Sequence, residues 1–180
     1  MRRTRFFVIL ALAGCASGAA TGRPPENPAR VTTAGTGADI LIANDTEAGA
    51  LGVRATPEAA WIGLPGVFEA LEIPVDRVDS RQKTLGNSGF TTRRRLGGQP
   101  LSAYLSCGST LSGPIANQYE VRLAVVSQIL PAAEGDAHIR TRVEATARSR
   151  DGASSSSVPC ASTGGLETRI AELLNRSVGR

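Results

Sequence analysis

A single histidine, His138, occurs in the 180 residues, and only three cysteines, Cys15, Cys107 and Cys160. One imidazole and no C-x-x-C spacing argue against a zinc site and against a thioredoxin-type redox motif. No G-x-S-x-G elbow exists to present a nucleophilic serine. "SCGS" at residues 106–109 is superficially protease-like, but it ends a predicted strand and holds a cysteine with a better use. The glycine-rich "TTAGTG" and "TGTGAD" follow no strand and precede no lysine, so a phosphate loop is not indicated. Carboxylates are scattered without the spacing of a calcium loop. No cofactor is implied. The N-terminal apolar stretch, residues 6–13, is too short to cross a bilayer, which takes about 20 residues.

That short stretch has a pattern of its own. Arg2, Arg3 and Arg5 precede it, and Leu12-Ala13-Gly14-Cys15 closes it. A basic n-region, an apolar h-region and a small-residue end are the parts of an export signal. Their order, ending on this tetrapeptide, resembles the lipobox of bacterial lipoproteins. The resemblance implies that residues 1–14 are a lipoprotein signal peptide, that Cys15 is the lipidation site, palmitate being among the groups added, and that the chain is cut before Cys15 and acylated on the new amine. The alternative is an ordinary secretory signal with an incidental cysteine. Several acyl chains anchor far more firmly than one, since each buried methylene adds about 0.8 kcal/mol. Ala16, rather than Asp, follows the cysteine. In diderm bacteria that resembles the signal for the outer membrane, which implies a domain facing the periplasm.

Removing the signal changes the charge argument. The whole chain carries +4 with a pI of about 9.5, and three of those charges are Arg2, Arg3 and Arg5. The mature chain is then close to neutral, and the basic pI gives no reason to expect a nucleic-acid partner. Residues 15–37 are rich in Ala, Gly, Pro and Thr, with "RPPENP" in the middle. Such a stretch has too little apolar surface to offset the entropy of ordering, and it is expected to be a flexible tether. Residues 38–180 suit one domain with one core.

In an exported chain the remaining pair, Cys107 and Cys160, is read as a disulfide. The two are 53 positions apart, and closing such a loop is worth roughly 4 kcal/mol on the chain-entropy model. Thr56 as cap, Pro57 and Glu58 start a helix over 56–72, with Trp61, Leu64, Val67, Phe68 and Leu71 on one face and a kink or break expected at Pro65. Residues 39–44 and 51–55 are expected to pair as a hairpin. Strands are expected over 75–79, 85–94 and 101–107, with Phe90 as the main anchor of the second and a bulge at "LGNSG". Residues 108–117 read as a loop. The clearest signal is the alternation of residues 119–130 and 137–148 across the turn "PAAEGD". It predicts a long antiparallel ribbon, with one apolar face and a wet face carrying His138. Residues 151–157 read as a polar loop, and 166–178 as a closing amphipathic helix capped by Thr163, Gly164 or Gly165. A bridge from Cys107, at the end of a central strand, to Cys160 would pin this helix to the sheet.

The predicted fold class is α+β: an antiparallel sheet of about five strands with two helices packed on one face. The element order, together with "AWIGLPGVFEALEIPV", resembles the helix-grip-like domains of BamC-type outer-membrane assembly lipoproteins over residues 56–178. The cysteine pair is not part of that pattern and points to a separate lipoprotein family. The resemblance brings no catalytic or binding motif.

Arg93, Arg94 and Arg95 form the densest charge run. In a strand Arg93 and Arg95 share a face. With Arg140, Arg142 and Arg148 on the wet sheet face they make a candidate basic binding face for lipid phosphates, lipopolysaccharide or peptidoglycan carboxylates. The plainer alternative is a solvated face balanced by Glu120 and Glu144. The expected function is that of a non-enzymatic, membrane-anchored envelope lipoprotein whose domain binds or scaffolds an envelope protein or polysaccharide. Its rivals are a periplasmic carrier of lipid-like ligands, which needs a cavity between sheet and helices, and a hydrolase, which needs His138 beside a serine or carboxylate.

Overall fold

A computed structural model of the chain describes residues 30–32, 39–41, 49–149 and 157–179. Cys15, the signal peptide and most of the expected tether lie outside the described residues. β1 (Arg30–Thr32), inside the expected tether, pairs antiparallel with β2 (Asp39–Leu41), at the start of the expected domain. Thus residues 39–41 do not form a hairpin with 51–55. Instead β3 (Leu51–Val53) pairs with the beginning of the long ribbon.

The ribbon is the centre of the fold. β11 (Glu120–Pro131) and β12 (Ala137–Arg148) run antiparallel over their full lengths, joined by a 3₁₀ turn at Ala133–Gly135. β5 (Thr84–Arg93) lies on the other side of β11. Beyond β5 come β4 (Arg77–Asp79) at one end and β6 (Arg95–Leu96) at the other, with β7 (Gln99–Pro100) outside β6. Beyond β12 come β3 and β13 (Ser157–Ser162), with β8 (Leu105–Ser106) outside β13. The main body is therefore five strand-widths across, trimmed by two short edges.

Two helices cover one face. α1 (Pro57–Ala70) starts as expected: Thr56 Oγ1 accepts the Ala59 N–H at 3.3 Å and Pro57 takes the first turn. No break occurs at Pro65. The helix continues through it, with Pro65 on the exposed side, where its ring meets no packed neighbour. α3 (Gly165–Val178) packs beside α1, and both lie against the ribbon. Gly63 faces the end of α3, where a Cβ would come 3.1–3.2 Å from Ser177, Val178 and Leu174. Asn175 fastens α3 to β3: its Oδ1 accepts the Arg54 N–H at 2.9 Å and its amide donates to the Gly52 carbonyl at 3.0 Å.

The core lies between helices and sheet. Leu64, Phe68, Leu123, Ile139, Ile170 and Leu174 are all fully buried there. Leu85, not Phe90, is the buried anchor of β5, while Phe90 is half-buried at the margin. Between them sits the expected bulge, where Ser88 and Gly89 together face one residue of β11.

Three further expectations are corrected. Residues 101–107 are not a central strand: Leu101–Ala103 is a 3₁₀ turn and only Leu105–Ser106 is strand, at the sheet edge. Residues 108–117 contain a small ribbon, β9 (Ser109–Thr110) with β10 (Gly113–Pro114), and lead into the short helix α2 (Ile115–Gln118). The polar stretch near 157 opens strand β13.

Candidate functional site

The side chains that could meet a partner follow from the strand register. On β11 and β12, alternate residues turn to the helices: Val121, Leu123, Val125, Ser127 and Ile129, opposite Ala147, Ala145, Val143, Thr141 and Ile139. Ser127 and Thr141 are buried polar residues in this set. They satisfy each other through a 2.8 Å hydrogen bond between their hydroxyls, at a position where Cβ atoms of facing residues come close. The intervening residues turn the other way, onto a face against which neither α1 nor α3 packs.

Antiparallel partners point to the same side, so the register can be followed across the whole open face. At one end Arg95, Arg93, Glu120 and Arg148 stand in one row across four strands. Arg122 follows, between Thr91 and Thr146. Glu144 comes next, opposite Ala124. Arg77 and Arg142 then flank Gly86 and Val126, and Asp79 and Arg140 flank Thr84 and Gln128. His138 lies at the far end, opposite Leu130 and Gly52. Rows spaced by six residues along β11 place the Arg93 and Arg142 rows about 20 Å apart.

The predicted basic residues thus share one face without forming one cluster. Arg93 and Arg95 are neighbours, but not within one strand. The chain reverses at Arg94, whose φ of 60° is left-handed, and cross-strand pairing of β5 with β6 brings the two together. Arg140 and Arg142 occupy the opposite end. Arg93 is paired with Glu120, and Arg142 Nε lies 2.8 Å from Glu144 Oε1. Glu120 and Glu144 therefore balance two of the arginines, as the plainer alternative requires. Arg77, Arg95, Arg122, Arg140 and Arg148 are exposed and make no ion pair among the described residues. Arg77 and Arg122 did not stand out in the sequence as members of this face. Arg122 sits on the expected wet side of its strand, but the link to Arg77 exists only through the pairing of β4 with β5.

Two glycines keep this face low. A Cβ at Gly86 would lie 2.5 Å from the Val125 carbonyl oxygen, so only glycine permits this approach of β5 to β11. A Cβ at Gly89, in the bulge, would fall 2.8 Å from Arg122 Nε. The guanidinium of Arg122 is laid over that glycine. The bulge is held from the side by Asp76, whose carboxylate accepts the Ser88 N–H at 3.0 Å and the Ser88 hydroxyl at 2.6 Å. The hydroxyl bond keeps the Asp76 carboxyl below its ordinary range.

Cys107 and Cys160 are joined by a disulfide, with sulfurs 2.02 Å apart. The bridge extends the β8–β13 pairing by one position and ties the sheet edge to the strand that leads into α3. Cys107 is therefore at an edge, not at the end of a central strand. His138 is exposed, and its side chain meets no serine or carboxylate at hydrogen-bond distance among the described residues. No group of three or more His, Cys, Asp or Glu residues among them is placed to hold a metal ion. No helix among them is long and apolar enough to cross a membrane.

Concavities lie elsewhere, one of them beside Arg54, Asn175 and Arg176. A pocket of about 520 Å³ at the start of α3 is lined by Gln99, Tyr104, Thr163, Thr168, Arg169 and Glu172 among others. Arg169 and Glu172 face each other at 3.6 Å, so its charge is internally balanced. Burial pushes the Tyr104 phenol up, and its hydroxyl finds no partner among the described residues.

No family model matches the chain, and no curated protein matches it in sequence.

Proposed function

We propose that this chain is a cell-envelope lipoprotein, anchored through acyl groups on Cys15, whose α+β domain binds or scaffolds another envelope component without catalysing a reaction. The lipobox-like N-terminus supports the anchor, and Ala16 after the cysteine supports an outer-membrane location with the domain in the periplasm. A disulfide between Cys107 and Cys160 suits that oxidising compartment. The resemblance to BamC-type domains fits the same setting.

The observation that carries the binding role is the asymmetry of the sheet. One face is sealed by two helices. The other holds seven arginines against three carboxylates on a rigid backbone. A face of this size and sign is a recognition surface for anionic groups.

The test is lipid labelling in cells. The wild type incorporates labelled palmitate and partitions into detergent, while Cys15→Ala remains unlabelled and keeps its signal peptide. Equal partitioning of the two would overturn the anchor. A photo-crosslinker in place of Arg122 is expected to trap envelope material, and the same group in place of Ile62, exposed on α1, is not. Equal yields at the two positions would count against the open face.

A further inference from the structure

The open face can be assigned a partner class, and the assignment rests on the tethered-lipoprotein reading above. We infer that this face docks flat on an anionic lipid surface, with its arginines on the lipid phosphates.

Three observations carry this. First, the basic side chains in the rows from Arg95 to Arg140 are arginines, as are all but Lys83 of the chain's 20 Lys and Arg residues, so what the face offers an anion is guanidinium chemistry. A guanidinium presents two parallel donors that match phosphate oxygens, and it gives up its hydration more easily than an ammonium does. Five of the seven have no carboxylate partner among the described residues, so their charge is available to an outside anion.

Second, the face is an array and not a cleft. Between the arginines stand Gly86, Thr91, Ala124, Val126 and Thr146, all small or of medium size. None of the described residues on this face walls in a single ligand, as a small-molecule site would require. Rows about 7 Å apart on strands about 4.8 Å apart, spread over more than about 20 Å, match a repeating planar lattice of phosphates better than one compact group.

Third, the anchor geometry permits it. Leu51, where the chain joins β3, is 36 positions after Cys15. That length reaches at most about 120–130 Å when fully extended, ample for the domain to lie on the bilayer. β3 pairs with Ala137–Ile139, so the chain joins the sheet next to Arg140, at an end of the array itself. Anchoring at one edge of a cationic face keeps that face at high local concentration over the lipid surface.

The test separates this claim from the anchor. The mature chain from residue 15 carrying Cys15→Ser, which has neither signal nor lipid, is mixed with two sets of vesicles: phosphatidylcholine alone, and phosphatidylcholine with a third phosphatidylglycerol. Binding is expected only to the anionic vesicles. It should fall at least tenfold in 0.5 M NaCl, where charges beyond a few ångströms are screened. Each arginine at such a surface contributes roughly fivefold, so Arg122→Glu with Arg148→Glu should cost at least tenfold. The same charge change on the helix side, Arg54→Glu with Arg176→Glu, should leave binding within about twofold. Binding to both vesicle types, equal losses from the two double variants, or binding only to isolated peptidoglycan would each overturn the assignment. Failure of the wild type to incorporate labelled palmitate in cells, with vesicle binding intact, would overturn the anchor alone.

Discussion

Val121, Leu123, Val125 and Ile129 turn toward the helices; Arg122, Ala124, Val126 and Gln128, the residues between them, do not. The two sets share one backbone, one pair of neighbours and one register. What separates them is what covers them. Under α1 and α3 a side chain is held on all sides, and any vacancy or unpaired hydroxyl is felt. On the open side an arginine reaches into water, and its removal leaves the fold much as it was. Stability is thus concentrated on one face, which frees the other to be shaped by what it binds.

Substitutions should expose this division, beginning with the largest effect. Phe68 is fully buried at the centre of the covered face. Phe68→Ala is expected to cost about 3–5 kcal/mol in chemical denaturation, from lost apolar burial and the cavity left behind. A loss below about 1 kcal/mol would mean that the covered face is not the core. Removing the bridge with Cys107→Ala and Cys160→Ala should cost about 2–4 kcal/mol and loosen β8 and β13, which hydrogen exchange would read strand by strand. The hydroxyl pair offers a finer probe. Ser127→Ala strands the buried Thr141 hydroxyl and should cost about 1–3 kcal/mol. Adding Thr141→Val should restore much of that loss, because no unpaired hydroxyl then remains. A double variant weaker than the sum of the single ones would argue against this pairing.

The same division explains what could be read from the sequence. Alternation survives wherever one face is sealed and the other wet, so the ribbon, its turn and the two faces were legible residue by residue. The start of α1 was legible from Thr56, Pro57 and Glu58, because capping is local chemistry. The bulge was visible in "LGNSG", and the bridge in an even cysteine pair. Elements that depend on distant partners were not legible. Residues 101–107 place apolar side chains at Leu101, Tyr104 and Leu105, which suits a tight turn more than a strand, yet Leu, Tyr and Cys in so short a run look strand-like. β13 is a strand because β12 and the disulfide hold it there; its own residues, with Pro159 in the middle, do not announce it. For the candidate face, the sequence marked Arg93, Arg95, Arg140 and Arg142. It did not show that Arg77 joins them, since that needs the β4–β5 register, nor that the two ends lie about 20 Å apart. The break expected at Pro65 failed because the exposure of one helix side is a tertiary fact.

On the open side the expected effects are small. Arg122→Ala should change stability by no more than about 0.5 kcal/mol, as befits an exposed residue with no ion pair. A larger loss would show that its contact over Gly89 supports the bulge. Asp76 gives the smallest effect and the one tied to pH. The Ser88 hydroxyl holds its carboxyl below the ordinary value. A carboxylate depressed in the folded state stabilises fully above its unfolded pKa, near 3.9, and that contribution disappears as the pH falls through the lower folded value. The acid limb of stability should therefore steepen slightly below about pH 4 in the wild type. Asp76→Asn, which cannot titrate, should be slightly less stable at neutral pH and should lose less on acidification. The two proteins should converge once the pH is low enough to protonate the wild-type carboxyl as well. Parallel curves from pH 7 to pH 2 would mean that Asp76 does not clamp the bulge through its charge. The flatness of the open face at Gly89 would then have to be maintained by the backbone pairing of β5 with β11 alone.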